Sequence, residues 1–338
     1  MWANRGYSLD RPGGRISGRE WDTLIMLISV IFVIVGLVLL AAGAEGLIRG
    51  TTALALRLGI PPLVVGLTIV ALATGSPELA VSVKGALSGN SGISLGNVIG
   101  SNISNLALVL GLAALARPMQ VRTRLIRREM PVMVGATALL WLLLRDGFLS
   151  RADGLLLLAL AGTYLFVAYR GALAHRSRPP AAEFDRALEG AWSPRRSVVI
   201  ASVGLVALIA GAEVLVNGAV EIAKGLGIGS AVIGLTVIAV GTSMPELAAS
   251  VAAARKQNAD VAFGNVIGSN TLNILAVLGI TAAIRPFPVV GIRPIDFTVF
   301  LGTALLLLAL MMRGWVLDRL EGAVLVILYA VYVYSLVG

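Results

Sequence analysis

The sequence predicts an all-α polytopic membrane protein, with ten transmembrane helices arranged as two inverted five-helix repeats. Three observations predict it. The 338 residues are 57% hydrophobic and only 13% charged, about half the charged fraction of a typical soluble domain. Apolar runs of about 20 residues, long enough to cross a bilayer as helices, recur along the whole length. The chain also repeats itself at a shift of 168 positions, which carries Gly43-Ala44-Glu45 onto Gly211-Ala212-Glu213, Glu78 onto Glu246, and Arg117-Pro118 onto Arg285-Pro286. No gap is needed between 43 and 118, and chance does not give that.

Taken in order, residues 1–21 are polar and rich in Gly and Arg, and are expected to form a disordered tail. The apolar run that follows extends from Leu24 past Ala42. That exceeds the roughly 7–15 residues of a signal-peptide core, so it reads as the first span. The expected spans are 22–48, 61–87, 93–116, 129–145, 152–172, 197–222, 229–254, 260–284, 296–312 and 319–337. A polar stretch with Pro179 and Pro180 makes 173–196 a cytoplasmic linker between a first repeat, 22–172, and a second, 197–338. The runs are continuous rather than alternating, which excludes an outer-membrane barrel. Five spans per repeat is an odd number, so the second copy starts from the opposite side. Many secondary transporters are built this way, with their sites at the midplane where the repeats meet.

A net charge of +9 could suggest nucleic acid. The arginines lie between the apolar runs, however, and most share a side with the central linker. The positive-inside rule then puts the linker in the cytoplasm and both termini outside, in a multi-pass protein of the cell inner (plasma) membrane. No nucleic-acid partner is expected; the lipid bilayer is. The absence of cysteine excludes disulfides, thiolate metal sites and a catalytic thiol. The one histidine, His175, sits in the linker beside Arg176 and reads as a solvated side chain.

The chemistry concentrates in two matching stretches. GLTIVALATGSPELAVSV from Gly66 leads into GNVIGSNISN from Gly96, and GLTVIAVGTSMPELAASV from Gly234 leads into GNVIGSNTLN from Gly264. A carboxylate within a membrane-length apolar run is costly and marks a functional site by default; Glu78 and Glu246 are two such residues. Pro77 and Pro245 interrupt the helical ladder just before them and deprive the carbonyls of Ala73 and Gly241 of their usual donors. Irregular backbone at that depth lines a cavity or is buried in protein. Thr74, one turn before Glu78, shares its helix face; Thr242 and Ser243 flank Glu246. Ser101 with Asn105, and Ser269 with Asn273, supply an opposing wall, and Gly96-x-x-x-Gly100 and Gly264-x-x-x-Gly268 offer small surfaces for close helix approach. Two carboxylates, amides, hydroxyls and loosened carbonyls are hard oxygen donors, suited to Ca2+, Na+ or Mn2+ rather than Zn2+ or Cu+. Glu45 and Glu213, near the ends of the first and sixth spans, suit a structural or gating role. Asp153 and Glu321 stand at span starts, where helix-end electrostatics accounts for them.

At these residues the sequence resembles the calcium/cation antiporter superfamily, in particular its prokaryotic sodium/calcium exchanger branch. The second copy carries the whole G-T-S-x-P-E segment, Gly241 to Glu246, and then G-N-x-x-G-S-N, Gly264 to Asn270; the first reads Ala73-Thr74-Gly75-Ser76-Pro77-Glu78, with Gly96 to Asn102 intact. The resemblance covers almost the whole chain. It implies that Glu78 and Glu246 bind Ca2+ and help bind Na+, with Thr74 and Thr242 beside them. It further implies that Ala71 and Ala239 give carbonyls to Na+, and that Ser101, Ser269 and Asn105 line the site. Two positions depart from the pattern: Gly75 stands where the family has serine, and Asn273 where aspartate is common. The expected activity is therefore Ca2+ export in exchange for Na+ by alternating access, with H+/Ca2+ exchange as the alternative. The protein is expected to work as a monomer, without a cofactor and not as an enzyme. A cation channel would be the reading from a different class. An intramembrane hydrolase would need a base that neither Ser76 nor Ser243 has nearby.

Overall fold

Apolar runs inside a bilayer have no water to bond, so each closes its hydrogen bonds within itself as a helix. The computed structural model describes residues 18–58, 62–89, 91–174, 193–225 and 239–337. Most of the expected tail, the centre of the linker with His175, and the start of the seventh span, 229–238, lie outside the described residues. The first helix, α1 (Gly18–Leu58), begins inside the expected tail. It is followed by α2 (Gly66–Thr74) and α3 (Ser76–Leu87), one span bent by 50° at Gly75, and by α4 (Ser91–Ala116). The first repeat closes with α5 (Met130–Leu143) and α6 (Arg151–Ala174). The second runs through α7 (Pro194–Gly225), α8 (Ala239–Thr242), α9 (Met244–Arg255), α10 (Ala259–Ile284), α11 (Pro294–Gly314) and α12 (Arg319–Val337). Seven helices among the described residues are long and apolar enough to cross a membrane, and the bent α2–α3 pair makes an eighth.

The inversion shows in how the copies exchange contacts. Strand β1 (Met119–Gln120) pairs antiparallel with β4 (Val316–Leu317), and β2 (Phe148–Leu149) pairs with β3 (Phe287–Pro288). Under the 168-position shift β1 becomes β3 and β2 becomes β4, so each ribbon is the other seen through a two-fold axis. The helices follow the same rule. A Cβ placed on Gly111 of α4 would sit 2.8 Å from the Gly322 carbonyl of α12; one on Gly154 of α6 would sit 2.9 Å from the Gly279 carbonyl of α10. Without a hydrophobic drive between helices in lipid, small residues that allow such approach decide who packs with whom.

Helices α1 and α7 pack antiparallel along their length. Glycines recur every seventh residue on both, at 36, 43 and 50 and at 204, 211 and 218. A Cβ on Gly43 would meet the Gly204 carbonyl at 2.7 Å, and one on Gly204 would meet the Leu47 nitrogen at 2.5 Å, so neither position has room for a side chain. Asp153 and Glu321 cap α6 and α12. Ser150 donates its backbone N–H to Asp153 Oδ2 at 2.9 Å, and Asp318 does the same to Glu321 Oε2 at 3.1 Å.

Candidate functional site: two buried glutamates in a crossed amide network

Proline is tolerated in the first helical turn, where its missing N–H is not needed. Pro77 and Pro245 accordingly restart helices α3 and α9 after breaks at Gly75 (φ −78°, ψ 4°) and Ser243 (φ −84°, ψ 3°). The Ala73 carbonyl, expected to lack a donor, instead accepts the Ser76 hydroxyl at 2.8 Å. Met244 holds that position in the second copy and has no hydroxyl to do the same.

The breaks set Glu78 and Glu246 in the first turns of α3 and α9, both fully buried. None of their four carboxylate oxygens makes a hydrogen bond of ordinary geometry among the described residues. The Thr74 hydroxyl lies beside the Glu246 carboxylate.

Around them a hydrogen-bond network crosses between repeats. Asn97 Nδ2 donates to the Glu78 carbonyl at 3.1 Å and to Ser82 Oγ at 3.0 Å. Asn265 Nδ2 donates to the Glu246 carbonyl at 3.3 Å and to Ser250 Oγ at 2.9 Å. The other end of each amide faces the opposite repeat: Thr242 Oγ1 donates to Asn97 Oδ1 at 3.4 Å, and Thr74 Oγ1 lies 3.1 Å from Asn265 Oδ1. Each glutamate's backbone is thus held by an asparagine of its own repeat, and that asparagine is held by a threonine of the other. Asn102 and Asn270 donate to each other's carbonyls at 3.4 and 3.0 Å.

The remaining expected residues sort around this centre. Ser269 Oγ reaches the Ala71 carbonyl across the repeats at 3.5 Å. Ser101 donates to the Val98 carbonyl at 3.2 Å and accepts from Asn273 Nδ2 at 3.4 Å. Asn273 Nδ2 also lies 3.1 Å from Asn102 Oδ1. Asn105 is fully buried, with neither end of its amide bonded among the described residues, and the buried Ser243 hydroxyl is likewise unbonded. Ala239 opens α8 at the edge of the described residues. Asn105 and Asn273 each begin a π-helical turn, Asn105–Val109 and Asn273–Leu278; such turns are frequent at functional sites. The two departures from the family pattern are neighbours, since a Cβ on Gly75 would lie 3.5 Å from Asn273 Oδ1. The close approach expected at Gly264-x-x-x-Gly268 is present: a Cβ on Gly268 would meet the Leu67 carbonyl at 2.6 Å. A Cβ on Gly100 would meet no described atom of another element within 4 Å; the residues that the shift places there, Gly234 and Leu235, lie outside the described residues.

Sequence reasoning missed Asn97, Asn265, Ser82 and Ser250 as part of this arrangement. The signal was present: both asparagines fall inside the duplicated G-N-x-x-G-S-N stretches, and a buried amide needs partners for both its ends.

Comparison with known proteins supplies the family. The model of the sodium/calcium exchanger protein family matches twice, over residues 28–170 and 196–338. The chain belongs to the sodium/calcium exchanger family. The putative antiporter CaxA of Alkalimonas amylolytica is 40% identical, over 92% of this chain and 99% of its own. The sodium/calcium exchanger MaX1 of Methanosarcina acetivorans is 30% identical over 92% of this chain and 99% of its own. Among solved structures, the sodium-calcium exchanger NCX_Mj, soaked with Na+ and Sr2+, superposes with a TM-score of 0.79 at 31% identity, covering 91% of this chain and 98% of that one. This exchanger-family chain is therefore a membrane cation antiporter, a transporter and not an enzyme.

Proposed function

We propose that Glu78 and Glu246 are the facing carboxylates of one cation site, and that the protein exports Ca2+ across the plasma membrane in exchange for Na+. The observation that carries this reading is the pair itself: one fully buried carboxylate from each repeat, with none of the four oxygens in a hydrogen bond of ordinary geometry among the described residues. Two such charges in a low dielectric repel and are costly. One Ca2+, or monovalent ions in its place, offsets that cost, and ions that relieve the same charge compete for it. Such competition couples an antiporter. The side chains assigned to the site offer oxygen donors, among them those of Asn105 and Ser243, which are unbonded among the described residues, and such a set suits hard cations. Ala71 and Ala239 would add carbonyls, while Thr74, Thr242, Ser101 and Ser269 position the wall. The name of the relative MaX1 agrees with Na+ as the coupling ion.

Alternating access follows from the contrast in packing: the lipid-facing α1–α7 pair would shift against the core formed by α2–α4 and α8–α10. The protein works as a monomer, with the linker on the cytoplasmic side.

One observation favours H+ as the coupling ion. Asn273 spends its amide donor on Ser101 and Asn102, Gly75 beside it contributes no hydroxyl, and the site is left with two carboxylates. Ca2+ uptake into inside-out vesicles distinguishes the two. Uptake driven by an imposed Na+ gradient supports Na+/Ca2+ exchange; uptake driven by a pH gradient alone overturns it in favour of H+/Ca2+ exchange.

A further inference from the structure

Away from the glutamates, a cavity of ≈ 330 Å3 opens between α5 and α6, within the size range of ligand pockets, about 300–1,000 Å3. One end is charged and the rest apolar. Arg128 and Glu129 stand at the charged end with Tyr164, and Val132, Leu139, Leu160 and Val167 line the wall. Val132 and Val167 are exposed on the lipid-facing surface, so the cavity is open from the side. Arg124 pairs with Glu129 through its Nε at 3.5 Å, a long contact, while its Nη2 and the buried Tyr164 hydroxyl have no hydrogen-bond partner among the described residues. Two arginines against one carboxylate leave this end positive. A buried hydroxyl and a guanidinium left unbonded are costly unless an acceptor arrives.

The second repeat provides an internal control. The residue matching Tyr164 is Tyr332, whose hydroxyl donates to Asp296 Oδ1 at 3.2 Å; Asp296 in turn pairs with Arg293 at 3.0 Å. Arg128 is replaced by that aspartate, and Gly135 by the buried Thr303. In the second copy the tyrosine hydroxyl and the arginine are paired within the protein, with only the Thr303 hydroxyl unbonded among the described residues; in the first the tyrosine hydroxyl and an arginine arm are unmet beside an apolar slot.

We propose that this cavity holds one anionic phospholipid, its phosphate between Arg124, Arg128 and the Tyr164 hydroxyl and an acyl chain along the apolar wall. Basic pockets between transmembrane helices on the cytoplasmic side suit such headgroups, and the arginine-bearing turn lies on the face of the central linker, beside Gly171 at the end of α6. The charge selects an anionic lipid over a zwitterionic one. The lateral opening selects a lipid over a soluble anion.

Native mass spectrometry of the full-length protein, exchanged into detergent with phosphatidylglycerol or phosphatidylcholine, tests this. The wild type is expected to retain phosphatidylglycerol in preference to phosphatidylcholine. Arg128→Gln should lower retention about fivefold, the effect of one basic residue on an anionic headgroup, and Tyr164→Phe should lower it less. Arg127→Gln removes the same charge from an exposed position outside the cavity and should leave retention unchanged. Gly135→Leu fills the cavity from a position with no atom within 4 Å of its Cβ; it should melt no lower than the wild type and still lose the lipid. Equal retention in wild type, Arg128→Gln and Gly135→Leu overturns the proposal, as does an equal loss in Arg127→Gln and Arg128→Gln. If Gly135→Leu does not fold, the two arginine variants decide the matter alone.

Discussion

The helices that carry the amide network and the pair α1 and α7 bury very different amounts of themselves. The spans of α4 and α10 are each 78% buried, whereas those of α1 and α7 are 17% and 22% buried. The buried helices are fastened to one another by directional bonds: Asn97 and Asn265 each join a glutamate backbone to a threonine of the other repeat. The pair α1–α7 is joined by glycine contacts that have shape but little direction. An amide network has one satisfied geometry and resists distortion; a smooth glycine seam faces lipid with few polar ties to the core. On the proposed function, the difference would separate a rigid ion site from a pair of helices that move past it, and each half of that separation can be tested.

The largest effect is expected at the carboxylates. Glu78→Gln or Glu246→Gln should each reduce Ca2+ flux by roughly thirtyfold or more, since truncating one member of a buried charged site costs about 2–5 kcal/mol. Both variants should melt no lower than the wild type without Ca2+, because each removes one of two repelling charges. Normal flux in either would sink the site assignment. Unequal losses in the two would show that the repeats do not share the ion evenly.

Much of this was readable in the sequence for one reason: the repeat states each feature twice. The bilayer fixes helix as the spanning structure, and the cost of a membrane carboxylate singles out Glu78 and Glu246, so fold and centre followed from composition and spacing. The partners of Asn97 and Asn265 did not, because a cross-repeat bond has no local signature: Thr74 and Asn265 are 191 positions apart. Nor did the π-helical turns at Asn105 and Asn273, since one extra residue in a turn leaves the apolar pattern of a fully buried helix unchanged. Ser76 was readable only as a companion of Pro77; its bond to the Ala73 carbonyl depends on a rotamer that sequence does not reveal.

On the mobile side, Gly43→Leu should lower stability by about 1–3 kcal/mol, the usual cost of forcing extra atoms into a packed contact, because its Cβ would meet the Gly204 carbonyl. Exchange should slow while Ca2+ affinity, read by isothermal titration, stays near that of the wild type. An affinity loss as large as in the glutamate variants would mean that the seam and the site are not separable.

A smaller effect is expected where the two copies of the site differ. Gly75→Ser places a hydroxyl in the gap beside Asn273, with its Cβ 3.0 Å from the Ala71 carbonyl and 3.5 Å from Asn273 Oδ1. The backbone at Gly75 has a negative φ, so serine brings no backbone strain, and the Ala71 carbonyl need give by only a few tenths of an ångström. One added oxygen, at about 0.5–1.5 kcal/mol per hydrogen bond, should raise apparent Na+ affinity by a few-fold, up to roughly tenfold, in a Na+-dependence curve of Ca2+ uptake. An unchanged curve, with a shifted pH dependence instead, would assign this corner of the site to protons.

The smallest effect concerns an ion-paired tie between the two regions. Glu45 of α1 bonds Arg49 on its own helix, and Lys256, in the turn after α9, at 2.6 Å. Asn258 of the same turn reaches Thr52 of α1 at 3.5 Å. The repeat shift turns Glu45 into Glu213 and Lys256 into Ser88, so the opposite face has no lysine in the corresponding place. The tie as it stands therefore has no direct counterpart at the symmetry-related place, and it joins the α1–α7 pair to the core at the face that carries the linker. Its members are partly exposed, which limits the pair to about 0.2–1 kcal/mol and makes it sensitive to salt. Lys256→Gln should then shift the balance between the two access states by no more than about fivefold, towards opening on the linker face. Labelling of a cysteine introduced at Thr52 would report that shift as faster modification in low salt. The gap between wild type and variant should close as salt rises, because screening weakens the ion pair in the wild type alone.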